Sequence, residues 1–505
     1  MVGGNKMKNI VVKNSVANII AKIWSILSLY LFVPIWINLL GIEGYGVISF
    51  YTVLVTLMHF ADAGLSATLT REFARGDIDN RYRRDLLRTI ECIYIIISVL
   101  IVLAIVILSD IIVDHFLKSS VFTHDELRYC VCLMGCSVSL QFLYSLYNGG
   151  LQGLQQQVLS NIITVLYGVS RSAIVIIPLL ISPTIQSFFI WQLFSIACAL
   201  IVTRYFLARN IGGLKYKSKF RMQYLNGVWK FALGMMLMSI ISSLNTQLDK
   251  LIIGNIISLK DMGYYSLANT IGIAVITIIQ PLCTAFYPEL TNKVSYNDRK
   301  VNDALFLFTY IVASIAATVG LFMFCYVEEL SYLWTQDIII TNAVKIPARL
   351  LIIGNLLQSL QFPLYYLALA HGYTKTNVKL GIGMLIFMIP AVYIFTFNWG
   401  VNATAIPYVI INIIATIYLT LAIVNRFMEG QLLHYLQYVL VPVVIAFVLV
   451  YIPYAILQIC HVAQGLLTCC VGVISCIISI YVMASVLIRL NRDIYIPIRI
   501  RKFLL

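Results

Sequence analysis

Apolar runs of roughly 20 residues, the length that crosses the hydrocarbon core of a bilayer, recur from one end of this chain to the other, and charge collects in the short segments between them. Fourteen runs are read: 15–39, 46–64, 88–112, 127–150, 158–181, 185–205, 229–254, 264–290, 302–325, 345–370, 376–396, 401–424, 434–456 and 462–487. Each predicts a membrane-spanning helix. Ile93–Leu108 and Val471–Ile488 are apolar on every side. Barrel strands are about ten residues long and alternate in polarity, so a β-barrel does not fit. Nor do the outer helices of a water-soluble bundle, which need polar stripes. The expected fold class is an all-α polytopic membrane protein.

Composition agrees with the pattern. Hydrophobic residues make up 61% of the 505 positions and charged residues 11%. Lys6, Lys8 and Lys13 precede the first run without a short apolar core and a small-residue cleavage site, so the start reads as a retained helix rather than a signal peptide. The longest polar segments, about 65–87 and 206–228, leave no room for a nucleotide-hydrolysing domain, and no Walker A motif is present.

The formal charge of +14 is a topology signal, because Lys and Arg collect on the cytoplasmic side of short loops. With the N-terminus inside, the inner segments hold Arg71, Arg75, Arg81, Arg83, Arg84 and Arg88, then Arg204, Arg209, Lys215, Lys217, Lys219, Arg221 and Lys230, then the tail Arg489, Arg492, Arg499, Arg501 and Lys502. The outer side holds Lys118, Arg128, Lys260, Lys345 and Arg349. An even number of spans puts both termini in the cytoplasm. The basic segments suit anionic lipid headgroups, and their place in short juxtamembrane loops speaks against nucleic acid. The eleven cysteines fall mostly within spans, where they pack as small hydrophobes. No metal site is read from Cys130 and Cys132.

An offset near 219 residues repeats several features. Leu40-Gly41-Ile42-Glu43-Gly44-Tyr45-Gly46 links spans one and two, and Leu259-Lys260-Asp261-Met262-Gly263-Tyr264-Tyr265 links spans seven and eight. Asp85-Leu86-Leu87 matches Asp303-Ala304-Leu305, and Gly153 matches Gly372. Six spans per copy makes the repeats parallel. The expected organisation is a six-helix lobe at 1–205, a basic cytoplasmic linker at 206–228, a second six-helix lobe at 229–424, and two additional helices with a basic tail at 425–505. Two such lobes would enclose a cavity. The last two helices have no counterpart and are expected outside that core or over a lateral opening.

Ionisable groups inside spans are costly, at least about 2.5 kcal/mol at mid-membrane on insertion scales, so they are the first candidates for function. Lys22 in span one and Arg171 in span five suit an anionic headgroup, Arg as a bidentate fork and Lys as a point charge. Snorkelling to the inner surface is the structural alternative for Lys22. Asn18, Ser25, Ser28, Asn148, Gln152, Ser239, Ser242, Asn245 and Gln247 are polar residues for a wet cavity, although Ser and Asn also join membrane helices. Asp62, with Arg71 or another loop arginine as partner, reads as a gate or a helix-end fastening. Glu91 has Arg88 at i−3. Asp249 and Lys250 are adjacent and face different ways. Pro34, Pro281, Pro363 and Pro390 free carbonyls and allow bends.

Four stretches carry a family resemblance: Leu39-Leu40-Gly41-Ile42-Glu43-Gly44-Tyr45-Gly46; Asp62-Ala63-Gly64-Leu65-Ser66-Ala67 with Arg71-Glu72; Gly150-Leu151-Gln152-Gly153-Leu154-Gln155; and Leu248-Asp249-Lys250-Leu251-Ile252-Ile253-Gly254 leading to Gly263-Tyr264-Tyr265-Ser266. Over residues 10–425 the chain resembles the polysaccharide-biosynthesis flippases that move lipid-linked O-antigen repeat units, within the multidrug/oligosaccharidyl-lipid/polysaccharide exporter superfamily. The resemblance implies two six-helix lobes in a V around a cationic cavity and alternating access. It implies an undecaprenyl-pyrophosphate-linked oligosaccharide as substrate, moved from the cytoplasmic to the periplasmic leaflet of a bacterial inner membrane. It implies no covalent chemistry and no cofactor beyond coupling to a proton or sodium gradient, for which Asp62, Glu91 and Asp249 are the candidate carboxylates. Contact with a polysaccharide polymerase and chain-length machinery is a further implied partnership. The runner-up is an ion-coupled multidrug antiporter of the same fold, where acidic cavity residues would be expected. A membrane polymerase or glycosyltransferase is the third reading, and the outer segments 110–127 and 326–344 are short for it.

Overall fold

The structure, a computed structural model, is described for residues 2–62, 64–75, 79–212, 247–296, 301–460 and 465–490, and for positions 219–221, 223 and 244. Every regular element among them is a helix. Among the described residues eleven helices are long and apolar enough to cross a membrane, or twelve if the bent pair Leu259–Gly272 and Ala274–Ser295 counts as one span. The protein is an all-α polytopic membrane protein. Most of the predicted seventh span, 229–254, and most of the basic linker, 206–228, lie outside the described residues. The chain divides into two compact units, Met1–Gly263 and Tyr264–Leu505.

In the first unit, α1 (Val2–Asp62) runs through the first two predicted spans. Its helical geometry fails at Gly41 alone, with φ 73° and ψ 172°. A left-handed φ costs glycine little. Trp36 and Tyr51 stand on either side of this break. They pack on the adjacent rings Phe188 and Phe189, with centroids 5.6 and 5.5 Å away. A straight helix would hold the two residues roughly 22 Å apart along its axis, so the arms fold towards each other at Gly41. Pro34 lies inside the helix without interrupting it. The bend sits in the glycine motif and not at Pro34.

The remaining helices of this unit are α2 (Leu65–Ala74), α3 (Asn80–Ile107), α4 (Ser109–Phe116), α5 (His124–Gly153), α6 (Gln157–Val169), α7 (Ile176–Ile181) and α8 (Ile185–Asn210). Thr123 and Glu126 form a reciprocal capping box that starts α5 by satisfying the first free N–H groups. Between α6 and α7 the chain makes a π-helical turn, Ser170–Ile174. Pro178 explains the register change. It has no N–H for the Ile174 carbonyl, and its ring clashes there.

The glycines of the repeated motif are packing sites. A Cβ on Gly46 would stand 2.4 Å from the Leu259 carbonyl oxygen, and one on Gly263 would stand 2.4 Å from that of Ile42. The segments 42–46 and 259–263 therefore meet backbone to backbone, an approach that small residues permit between membrane helices. The loop after α4 fastens the same region. Glu43 is buried and accepts hydrogen bonds from Ser119 Oγ at 2.6 Å and Ser120 Oγ at 2.7 Å. Lys118 Nζ donates to the Asn255 carbonyl at 2.7 Å.

The division between the units falls inside α9 (Leu259–Gly272). The second unit continues with α10 (Ala274–Ser295), α11 (Val301–Cys325), α12 (Val327–Thr335), α13 (Ile338–Ala370), α14 (Lys375–Trp399), α15 (Ile406–Phe427), α16 (Leu432–Ala446), α17 (Ile452–Ile459) and α18 (Leu466–Leu490). Its core joins Leu305, Phe306 and Tyr310 of α11 to Tyr435 and Tyr438 of α16 and Met483 of α18. Tyr310 Oη donates to the Met483 carbonyl at 2.9 Å. Helices α16 and α18 thus pack against α11 in the hydrophobic core of this unit. Large apolar side chains such as Ile96, Leu100, Ile107, Ile386 and Phe397 face outward, as lipid-facing helices require.

Candidate functional site

A cleft of about 500 Å³ opens in the first unit between the second arm of α1, α2 and α5. Glycines on α5 shape it. A Cβ on Gly153 would stand 2.6 Å from the Thr70 carbonyl oxygen, and one on Gly149 would stand 3.1 Å from that of Ser66. The absence of side chains lets α2 lie directly on α5, where Thr70 Oγ1 donates to the Gly149 carbonyl at 2.9 Å. The motif Gly150-Leu151-Gln152-Gly153 is therefore the seat of α2. That seat brings Ser66 and Thr70 of α2 opposite Gln141, Ser145, Asn148 and Gln152 of α5.

The lining carries hydroxyls and amides, and none of its residues is charged. Gln141 Oε1 is buried without a hydrogen-bond partner among the described residues, leaving an acceptor for a ligand in a setting where an unmade bond is costly. Asn148 Oδ1 accepts from Ser160 Oγ at 2.6 Å, which holds its amide in place. At the foot of the cleft Ser66 Oγ donates to Asp62 Oδ2 at 2.6 Å, and Tyr94 Oη donates to Asp62 Oδ1.

Asn148 and Gln152, nominated from sequence, thus belong to one cleft. The other nominated groups lie elsewhere. Asn18 accepts from Asn161 of α6, and Trp24 Nε1 lies against Gly168, so the first arm of α1 and α6 run parallel. Lys22 is exposed on that arm. In this register it stands roughly 8 Å before Arg171 along the helix axes. Arg171 is half-buried in the π-turn, with its guanidinium 5.7 Å from the Tyr167 ring centroid and no ion pair among the described residues. The carbonyls of the turn are satisfied from α8: Trp191 Nε1 donates to Ser170 O at 2.9 Å and Gln192 Nε2 to Arg171 O at 2.8 Å. π-turns of this kind are frequent at functional sites. Asn245 lies outside the described residues.

Of the gating and coupling candidates, Asp62 is held by the hydroxyls of Ser66 and Tyr94, and Arg71 is exposed on α2. Glu91 is buried and pairs with Arg88 at 3.0 Å and with Arg204 of α8 at 3.0 Å, while Tyr147 Oη of α5 donates to it at 2.5 Å. It pins three helices. The backbone N–H of Lys250 donates to Asp249 Oδ1 at 2.8 Å, and the Lys250 side chain is buried. Asp85 takes part of the basic linker: it accepts from Lys219 N at 2.8 Å and pairs with Arg221 at 3.2 Å.

Sequence reading missed Ser66, Thr70, Gln141 and Ser145 as cleft residues. The signal was present on α5. Gln141, Ser145, Asn148 and Gln152 recur at helical spacing and draw one polar stripe through an apolar run.

The polysaccharide biosynthesis protein family model matches residues 11–293, more than half of the chain. The chain belongs to that family. A Shigella flexneri protein provisionally named an O-antigen transporter is 23% identical over 380 residues, covering 73% of this chain and 87% of that protein. Among solved structures, the lipid II flippase MurJ in an inward closed conformation superposes with a TM-score of 0.71 at 14% identity, covering 95% of this chain and 99% of that one. An inward-facing multidrug resistance MATE family transporter of the MOP superfamily superposes with a TM-score of 0.66 at 15% identity, covering 84% and 99%. This polysaccharide biosynthesis family member thus has the fold shared by MurJ and the MATE transporters. Its cleft lies within the matched residues.

Proposed function

We propose that this protein is a flippase that carries a lipid-linked polysaccharide repeat unit across the membrane by alternating access. It performs transport and no covalent chemistry. The barrier is the passage of hydrated sugar through hydrocarbon, and polar side chains that replace lost water contacts lower it. The observation that carries this reading is the uncharged, hydroxyl- and amide-lined cleft in the family-matched region. Ser66, Thr70, Gln141, Asn148 and Gln152 offer donors and acceptors of the kind that sugar hydroxyls pair with.

The finer reading is ours as well. The substrate is an undecaprenyl-pyrophosphate-linked O-antigen or related unit, and Lys22 and Arg171 attract its pyrophosphate. Fourteen spans form two six-helix repeats with two further helices. The protein sits in a bacterial inner membrane with both termini in the cytoplasm, beside the polymerase and chain-length machinery that use its product. The test is complementation of a flippase-deleted strain, scored as surface glycan against a membrane-abundance blot. Restored display supports the reading, and no display at normal abundance for any repeat unit tried contradicts it.

The second reading, a multidrug antiporter, draws on the MATE likeness. A cationic drug calls for a carboxylate in the cleft, whereas Asp62 at its foot is engaged by two hydroxyls. Drug efflux by the protein in a sensitive strain, without glycan export, would favour it.

A further inference from the structure

Among the described carboxylates, Glu329 stands alone in its surroundings. It lies on α12, between the spanning helices α11 and α13, and only 5% of the residue is exposed. Neither of its oxygens has a hydrogen-bond partner of acceptable geometry among the described residues. Its neighbour Glu328 takes both nearby cations, Arg349 at 3.0 Å and Lys345 at 3.9 Å. Glu91, by contrast, has two arginines and a tyrosine, and Glu43 has two serines. A lone ionised carboxylate in such a place is strongly disfavoured, and the group neutralises instead.

Helix α18 completes the enclosure. Tyr326, one turn before Glu329, lies against Gly472, where a Cβ would come within 2.7 Å of the Tyr326 ring. Tyr454 also packs against that ring, nearly perpendicular to it, with centroids 5.1 Å apart. The Tyr326 hydroxyl is also buried without a hydrogen-bond partner among the described residues. Among the described residues, the titratable groups close enough to influence Glu329 are Glu328 on its own helix, Cys325 and Tyr326 at the end of α11, Arg349 on α13, Tyr454 on α17 and Cys469 on α18. Of these only Arg349 is a cation, and Glu328 holds it.

We propose that Glu329 is a proton-binding site linked to the seating of α18: the carboxyl is a neutral acid while α18 lies on Tyr326, and it releases its proton to water when α18 lifts. Burial raises the proton affinity of the carboxyl, Glu328 adds to this, and its own backbone N–H and the Arg349 guanidinium partly offset it. The sign follows. A raised carboxyl pKa favours the seated state at low pH, and that preference fades as pH rises through it. The proposal stands independently of the transported substrate, because it concerns the packing of one helix.

The test uses the full chain in lipid nanodiscs. Hydrogen exchange of peptides within 466–490 is followed from pH 5 to pH 9 in the wild type and in Glu329→Gln, which mimics the neutral acid. At each pH the ratio of the two removes the intrinsic pH dependence of exchange. Wild-type α18 should lose at least about tenfold in protection relative to Glu329→Gln as pH rises. A ratio constant with pH overturns the proposal, as does a pH dependence retained in Glu329→Gln, which a histidine would give. Infrared spectra of the wild type with isotope-labelled glutamate need no variant. A protonated glutamate band that persists at neutral pH and disappears at high pH supports the site, and its absence at neutral pH refutes it.

Discussion

Arg204 Nη2 lies 3.0 Å from Glu91 Oε1 and ties α8 to α3. Arg88 holds the other carboxylate oxygen from within α3, and Tyr147 adds α5. The carboxylate is buried, whereas both guanidinium groups reach solvent. Losing one arginine leaves Glu91 with a cation, and losing both leaves a buried charge without one. Arg88→Ala and Arg204→Ala should each cost about 1 kcal/mol, and together about 3–5 kcal/mol. Adding Glu91→Gln to the double variant should recover part of the loss. Thermal unfolding of the purified proteins in one detergent, compared as a mutant cycle, checks the coupling. Additive losses would remove the network.

Gln152 lines the cleft, and its side chain makes no hydrogen bond among the described residues, so its amide is available to substrate. Gln152→Leu should lower surface glycan about tenfold, the worth of one polar contact at about 1.4 kcal/mol, with membrane abundance unchanged. Quantitative lectin or antibody staining beside an abundance blot reads it. Asn148→Leu should lower both quantities, because Asn148 also binds Ser160.

Gly46 and Gly41 belong to one motif and have different reasons to be glycine. Gly46 faces a backbone carbonyl that cannot move aside, whereas Gly41 has open space around it and a left-handed φ. Gly46→Ala should cost about 1–3 kcal/mol through overpacking. Gly41→Ala should cost about 1 kcal/mol through backbone strain, and Gly41→Asn about as much, because φ 73° with ψ 172° lies outside the left-handed helical region that asparagine tolerates. Melting temperatures of the three variants separate the two causes. Equal losses at both sites would contradict this account.

Lys22 and Arg171 occupy neighbouring parallel helices at different heights. If both meet the pyrophosphate, Lys22→Ala and Arg171→Ala should each reduce glycan export at normal abundance. Arg171→Lys should restore less than full export, because a point charge replaces a fork. Export measured in the flippase-deleted strain decides it. Normal display in both alanine variants would remove the cationic contribution and leave the cleft reading intact.

The all-α membrane fold and its long apolar helices were legible because length and uniform apolarity are local properties. Even the break at Gly41 fell inside a motif visible in the chain. Partners of the charges were less legible, since they depend on how each helix is rotated. Arg88 could be paired with Glu91 from i,i+3 spacing, but Arg204 comes from another helix. Asp62 invited a loop arginine and took Tyr94 and Ser66 instead. Glu329 reads in sequence as an ordinary acid in a loop beside Glu328. Only the packing of α12 against α13 and α18 shows that one of the two is paired and the other enclosed.

The most direct measurement uses purified protein in proteoliposomes loaded with a fluorescent pyrophosphate-linked oligosaccharide lipid. An impermeant glycosidase added outside digests only outward-facing sugar. With this protein present, digestion should pass the fraction initially exposed and approach completion, and Gln152→Leu should slow it about tenfold. Digestion that stops at the level of protein-free vesicles, with correctly folded protein in the membrane, would contradict the flippase account.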